Sequence, residues 1–277
     1  MSTGKTLLAI FAHPDDETFG IGGTLAYYAR RGVDVYLICA TRGEAGVLDP
    51  TYRGSHTSIG ELREHELACA AQTLGIREVI YLDYRDSGMA GSPDNQHPHS
   101  LASVPLAKLV EEIIAIMERI QPQVVITFDP IGGYFHIDHI KIHQAAKQAF
   151  FDLQKKAGAD KPQKLYYYTI AKKVMRLLVR LMPLFGKDPS RYGQNKDIDL
   201  SVIAANDFPI HARINYSSVK DVRQAASDCY ASQGGGNRNL GAAGLLRGWS
   251  GNVEVFSQAY PDSTAGQIET DLFLGVK

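Results

Sequence analysis

The chain has 277 residues, 44% hydrophobic and 21% charged, so it can bury a sizeable core and does not have the composition of a disordered segment. Its 29 Lys and Arg balance 30 Asp and Glu, which excludes an overall field drawing it to nucleic acid or an acidic surface and leaves small molecules as the expected partners. Three cysteines, Cys39, Cys69 and Cys229, are widely spaced and odd in number, which argues against a disulfide framework and fits a reducing compartment. Cys39 and Cys69 lie in apolar runs and read as core packing. No stretch is long enough to span a bilayer, and the chain enters its first strand without a signal-peptide pattern, so a cytoplasmic location is expected.

Thr6 to Phe11 reads as a buried strand. Directly after it, Ala12-His13-Pro14-Asp15-Asp16-Glu17 packs an imidazole and three carboxylates together. A helix follows from Gly22 to Arg31, then a second strand from Val33 to Ala40. Ile59 to Leu74 has helical periodicity and is closed by Gly75 at the usual C′ position. A short strand is expected at Glu78 to Leu82, a helix from about Pro105 to Ile120, and a fourth strand at Gln123 to Phe128. Beyond the loop 129–135, Ile137 to about Leu153 reads as a helix and Leu165 to Ile170 as a fifth strand. This alternation implies βαβ units, hence an α/β fold with a mainly parallel sheet and helices on both faces.

The second half is less regular. Ala171 to Phe185 is a basic amphipathic helix, whose apolar side would dock on the core or on another subunit, a possible homo-oligomer contact, or lie on an anionic membrane. Lys187 to Ile198 reads as a loop, Pro209 to Ile214 as a strand, Val219 to Ala231 as a helix, Gln233 to Gly251 as a mobile Gly-rich loop, and Val253 to Tyr260 as a final strand. A single domain over 1–277 is expected, with a catalytic core over about 1–170 and an irregular extension over about 171–277.

A second polar cluster, Tyr134-Phe135-His136-Ile137-Asp138-His139, follows the fourth strand as the first cluster follows the first. In one parallel sheet the carboxyl ends of both strands share an edge, where α/β proteins bind ligands. His13, Asp15, Asp16, His136, Asp138 and His139 could then meet in one crevice. Two histidines and a carboxylate suit a catalytic zinc ion, and iron(II) accepts the same set. Blander readings stand beside this one: a turn built on Pro14 with Asp side chains bonding nearby N–H groups, and a helix N-terminus complemented by Asp138. His143, one turn further on, reads as exposed helix surface or as a fourth metal-facing residue. Gly20-Ile21-Gly22-Gly23 misses the dinucleotide-binding spacing, and Gly22 and Gly23 read instead as allowing a close approach of helix to strand or metal loop.

The paired motifs resemble the PIG-L (LmbE-like) zinc de-N-acetylase family, whose hallmarks are AHPDDE after the first strand and HxDH after a later one. The likeness extends through Thr41-Arg42-Gly43-Glu44, Arg63-x-x-Glu66-Leu67 and Arg85-Asp86-Ser87-Gly88-Met89, and covers roughly residues 5 to 150. Near the C-terminus Tyr230-Ala231-Ser232-Gln233 matches more weakly, with Tyr where relatives often have His. The resemblance implies a Rossmann-like three-layer sandwich in which His13, Asp16 and His139 bind the metal and Asp15 is the general base. It also implies that His136 stabilises the oxyanion or protonates the amine, that Asp138 orients His136 and favours its charged form, and that Tyr134 donates to the oxyanion. Arg63, Asp86 and Glu44 match substrate contacts, with surface ion pairs as the alternative for each, and Glu17 would support the loop.

The expected activity is therefore removal of the N-acetyl group from an N-acetylglucosamine conjugate, such as a glucosaminyl-inositol or glucosaminyl-malate thiol precursor. Relatives of this kind also include amidases of thiol S-conjugates and deacetylases of lipid-linked sugars. A non-catalytic Rossmann-like sugar- or nucleotide-binding protein is the alternative from another class, and it has no use for a base beside a metal triad.

Overall fold

The computed structural model describes residues 4–46, 52, 56–156, 161–170, 172–192, 198–235, 251–263 and 266–277. Its strands are β1 (Thr6–Phe11), β2 (Asp34–Thr41), β3 (Glu78–Tyr84), β4 (Val124–Phe128), β5 (Lys164–Thr169), β6 (Ala212–Asn215) and β7 (Val253–Tyr260). Among the described residues they form one sheet in the order β3-β2-β1-β4-β5-β7-β6. The first five run parallel. β7 is antiparallel to β5, and β6 to β7. β1 and β4 are apolar on both faces and almost wholly buried, as a strand covered on both sides of a parallel sheet must be.

The helices are α1 (Asp16–Arg30), α2 (Ile59–Leu74), α3 (Leu106–Ile120), α4 (Gly132–Phe135), α5 (Ile137–Lys155), α6 (Lys172–Leu181), α7 (Leu200–Ala205) and α8 (Lys220–Cys229). Strands β1 to β3 progress one way from the centre and β4 and β5 the other, so right-handed crossovers put α1 and α2 on one face and α3 and α5 on the other. α8 packs beside α1 and α2, while α3 packs on α5. The chain thus reverses direction between β1 and β4, and the crevice outside their carboxyl ends is the switch point at which such sheets bind ligands.

Several expectations are revised. α1 begins at Asp16 rather than Gly22, because the polar cluster itself makes the first turn, and the helix kinks at Ile21. The kink is bridged by Glu254 of β7, whose carboxylate accepts the N–H groups of Gly23 at 3.0 Å and Thr24 at 2.6 Å. A Cβ on Gly23 would lie 2.3 Å from the Tyr216 ring, so its close neighbour is an aromatic side chain beyond β6 rather than a strand or the metal loop. α7 had no counterpart in the sequence reading. Residues 193–197 of the expected loop after Lys187, and 236–250 of the Gly-rich stretch, lie outside the described residues.

The cysteine reading is corrected. Cys39 is buried and free, but Cys69 is exposed on α2 and forms a disulfide with Cys229 at the end of α8. The two are 160 residues apart, and only the side-by-side packing of α2 and α8 brings them together. The cysteines therefore give no support for a reducing compartment. Among the described residues no helix is long and apolar enough to cross a membrane. α6 buries Met175 against Ile203 and Ala204 of α7, beside Tyr134 and Phe135, while Leu177, Leu181, Leu184 and Phe185 remain exposed.

Candidate metal centre

Three strand ends converge at the switch point. β1 delivers His13 to Glu17, β3 delivers Asp86 and Ser87, and the loop and helix after β4 deliver Tyr134 to His139. Asp129, directly after β4, shapes the last of these: its Oδ1 accepts the N–H groups of Ile131 and Gly133, an Asx-type turn that leads into α4 and α5. Asp15 itself adopts a left-handed conformation, with φ 104°, and its side chain meets Arg63.

His13, Asp16 and His139 come together as the sequence suggested. His13 Nδ1 lies 3.0 Å from His139 Nε2 and 3.4 Å from Asp16 Oδ2, and His139 Nε2 lies 3.4 Å from Asp16 Oδ1. Donors around a tetrahedral zinc are about 3.3 Å apart, given zinc–nitrogen bonds of about 2.05 Å. The outer ring nitrogens are engaged elsewhere. His13 Nε2 faces Asp138 Oδ2 at 3.2 Å and Asp86 Oδ1 at 3.3 Å, and His139 Nδ1 lies 3.0 Å from the Gly132 carbonyl. Those acceptors place the ring protons outward and leave the inner nitrogens with lone pairs, the usual way in which metal-binding histidines are oriented.

The electrostatics suit a bound cation. Burial works against a charged His13, yet Asp86, Asp138 and Asp16 raise its pKa well above the ordinary value. Desolvation works against the charged form of Asp16 too, but His139 and His13 hold it below the usual carboxylate range. Asp138 is fully buried, and its Oδ1 has no hydrogen-bond partner among the described residues. A pocket that retains a proton on a buried imidazole has surplus negative charge, which a dication would neutralise. His136 also lies within reach, since His13, His136 and His139 bring ligand atoms within 4.8 Å of one another.

Other residues take places that the sequence did not assign. Asp138 holds His13 and the Ser87 N–H rather than the His136 ring, and His136 Nδ1 instead accepts the Asp138 backbone N–H at 3.2 Å. Burial, then His13 and His139, drive the His136 pKa far down, so the ring is neutral rather than charged. Arg63 is not a surface pair: it is 5% exposed and donates to Asp15 Oδ2 at 3.0 Å and to the Pro14 and Gly43 carbonyls. A Cβ at Gly43 would fall 1.9 Å from the Arg63 guanidinium, and its φ of 69° also favours glycine. Asp15 is pushed up to about 7, by burial first, with Arg63 pulling the other way. Asp86 faces His13, and Glu44 Oε2 accepts the Asp86 N–H at 3.0 Å. His143 is neither surface nor a ligand; it is buried with Nδ1 2.8 Å from the Phe128 carbonyl. Tyr134 is half-buried, its ring 5.0 Å from that of His139, and burial raises its pKa so that the hydroxyl keeps its proton.

Behind the crevice lies a layer that sequence reasoning reached only in part. Glu17 is wholly buried; its Oε2 accepts the Asp15 N–H at 3.1 Å, and its Oε1 accepts the hydroxyls of Thr18 and Tyr230, the latter at 2.8 Å. Burial raises its pKa to about 7 against the pull of those two donors. Ser232 gives its N–H and hydroxyl to Glu66 of α2, at 2.8 and 2.7 Å. The Tyr-Ala-Ser-Gln match was the signal for this layer, and only the fold shows which groups it touches.

Residues 8–150 match the model of the PIG-L family, described as GlcNAc-PI de-N-acetylase. A protein of Geodermatophilus obscurus named 1D-myo-inositol 2-acetamido-2-deoxy-alpha-D-glucopyranoside deacetylase is 32% identical, over 100% of this chain and 99% of that protein. Among solved structures, N,N'-diacetylchitobiose deacetylase from Pyrococcus horikoshii aligns with a TM-score of 0.62 at 19% identity, covering 95% of this chain and 88% of that one. GalB, the 4-carboxy-2-hydroxymuconate hydratase of Pseudomonas putida KT2440, aligns with a TM-score of 0.61 at 18% identity, covering 95% and 99%. A deacetylase and a hydratase share this scaffold, so the structural likeness shows the fold alone.

Proposed function

The chain belongs to the PIG-L family, and we propose that it is a metal-dependent hydrolase that removes the acetyl group from the 2-acetamido-2-deoxyglucose unit of an inositol glycoside. The observation that carries this reading is the triad of inward donor atoms on His13, Asp16 and His139, 3.0 to 3.4 Å apart, with a separately held carboxylate, Asp15, beside it. The near full-length relative named for that inositol substrate supports the choice of sugar conjugate.

Zinc or iron(II) at this triad would supply Lewis acidity to the amide carbonyl and to the attacking water. Asp15 accepts the proton of that water, its pKa of about 7 suiting a base that works near neutrality. Arg63 and the Glu17 contact to the Asp15 backbone hold that carboxylate in place. The neutral His136, whose Nδ1 is occupied by a backbone N–H, offers Nε2–H to the oxygen that gains charge, and the Tyr134 hydroxyl offers a second donor. The proton gathered by Asp15 passes to the departing nitrogen as the C–N bond breaks, giving acetate and the free amine. Glu44 uses one carboxylate oxygen on the Asp86 N–H and has the other for a sugar hydroxyl. We also read the chain as one catalytic unit, because β6 and β7 complete the sheet that carries the site.

The test is acetate release from N-acetylglucosaminyl-inositol, -malate and -phosphatidylinositol and from a thiol conjugate, by protein stripped with chelator and then given zinc or iron(II). Metal-restored turnover with the inositol glycoside preferred is the expected result. No turnover of any of these with either metal would overturn the reading.

A further inference from the structure

A second set of nitrogen and oxygen donors lies outside the crevice, where the chain enters α2. His56, Glu61 and His65 each bring one ligand atom to within 4.8 Å of the others. Glu61 and His65 are four apart and share a helix side, whereas Arg63, between them, turns into the core toward Asp15. The two sites therefore have no residue in common.

The donors are prepared in the way that metal ligands are. His65 Nδ1 lies 2.8 Å from the Glu61 carbonyl oxygen, which puts the ring proton on Nδ1 and leaves the Nε2 lone pair free. Thr57 donates both its N–H and its hydroxyl to Glu61 Oε2 at 2.6 Å, leaving Oε1 over. The rings of His56 and His65 are 4.9 Å apart between centroids. Among the described residues no Lys or Arg pairs with Glu61. Helix capping explains part of the arrangement, since Ser58 accepts the Glu61 N–H and Glu61 reaches back to Thr57. Capping uses Oε2 alone and gives no reason for two imidazoles gathered at the same carboxylate.

We propose that His56, Glu61 and His65 form a second divalent-metal site, of the two-histidine, one-carboxylate kind that suits zinc. His56 and Glu61 are half-exposed and His65 is exposed, so side-chain rotation brings the three donors to bonding distance and solvent completes the shell. The ion pins the segment before α2 to the helix that carries Arg63, and its role is structural.

Metal analysis of the full chain after equilibration with excess zinc and removal of free ion tests this. Wild type is expected to hold two equivalents. The double variant His56→Ala/His65→Ala should hold one and keep its acetyl-hydrolase activity, Asp16→Ala/His139→Ala should hold one, and the fourfold variant none. Glu61→Gln retains an acceptor for the Thr57 cap yet should weaken the second site ~tenfold or more, which separates lost ligation from a disturbed helix. One equivalent in wild type that His56→Ala/His65→Ala still retains, or two retained in that variant, would overturn the proposal. Failure of deacetylation leaves this stoichiometry untouched, so the two proposals fail separately.

Discussion

The two halves of the chain serve the crevice differently. From β1 to α5, the groups that face it follow strand ends, His13 to Glu17 after β1, Asp86 and Ser87 after β3 and Asp129 to His139 after β4, with Arg63 reaching in from α2. From β5 onward, Tyr230, Ser232 and Glu254 arrive from a helix end, a short turn and an antiparallel strand. None of them touches the donor triad. They grip what lies behind it: Glu17, Glu66 and the kinked backbone of α1. On the proposed reading the first half carries the chemistry and the second holds its geometry, and substitutions in each should fail in different ways.

The largest effect expected is at Asp15. Asp15→Ala should lower turnover ~10²- to 10⁴-fold with metal content unchanged, whereas His13→Ala or His139→Ala should lose turnover and the crevice metal together, read by acetate release and metal analysis. Metal retained at full stoichiometry in the crevice of His139→Ala would break the assignment of the triad.

In the second half, the double variant Cys69→Ser/Cys229→Ser removes the covalent tie between α2 and α8 and should cost ~3 kcal/mol in urea unfolding, with turnover nearly unchanged at 25 °C. A large loss of turnover without loss of stability would show that α8 does more than brace.

Glu254 makes the contrast pH-dependent. Burial raises it from 4.5 to about 7, with its Thr24 contacts pulling back. The unfolded chain therefore gives up this proton from about pH 4.5 upward while the folded protein keeps it to about 7, so stability falls across that window and levels off above it. Glu254→Gln should reduce that slope by about 2 kcal/mol between pH 5 and pH 8, measured by urea unfolding at each pH. Glu17 shifts in the same direction and remains, so part of the slope persists.

The smallest effect is at Tyr230. Tyr230→Phe removes one of the donors to Glu17 and should lower kcat about fivefold, with KM and metal content unchanged, as the loss of about 1 kcal/mol of positioning implies. Wild-type kcat in this variant would show that the second half does not hold the Asp15 turn.

Much was legible before any contact was known. The strand and helix order from β1 to β5 followed from apolar runs and helical periodicity, which are local, and the two polar clusters stood directly after strands. Their convergence followed from the rule that parallel strands end on one edge. The helix start at Asp16 differs from the sequence reading because the polar cluster reads as loop, although Asp16 and Glu17 suit the first turn of a helix. α7, six residues long, had too little periodicity to register.

The sequence by itself placed both polar clusters after strands that end on one edge, so that His13, Asp15, Asp16, His136, Asp138 and His139 could share one crevice, because that placement rests on local strand and helix patterns. Tertiary structure alone decided which nitrogen of each histidine points inward, that Asp138 serves His13 and leaves His136 neutral, that Arg63 is a buried support, and that Cys69 finds Cys229. These outcomes rest on contacts between segments up to 160 residues apart, such as Cys69 with Cys229. A local pattern fixes which side chains reach the crevice. The proton positions and partners there depend on burial and on neighbouring charge, which exist only once the sheet and its helices have packed.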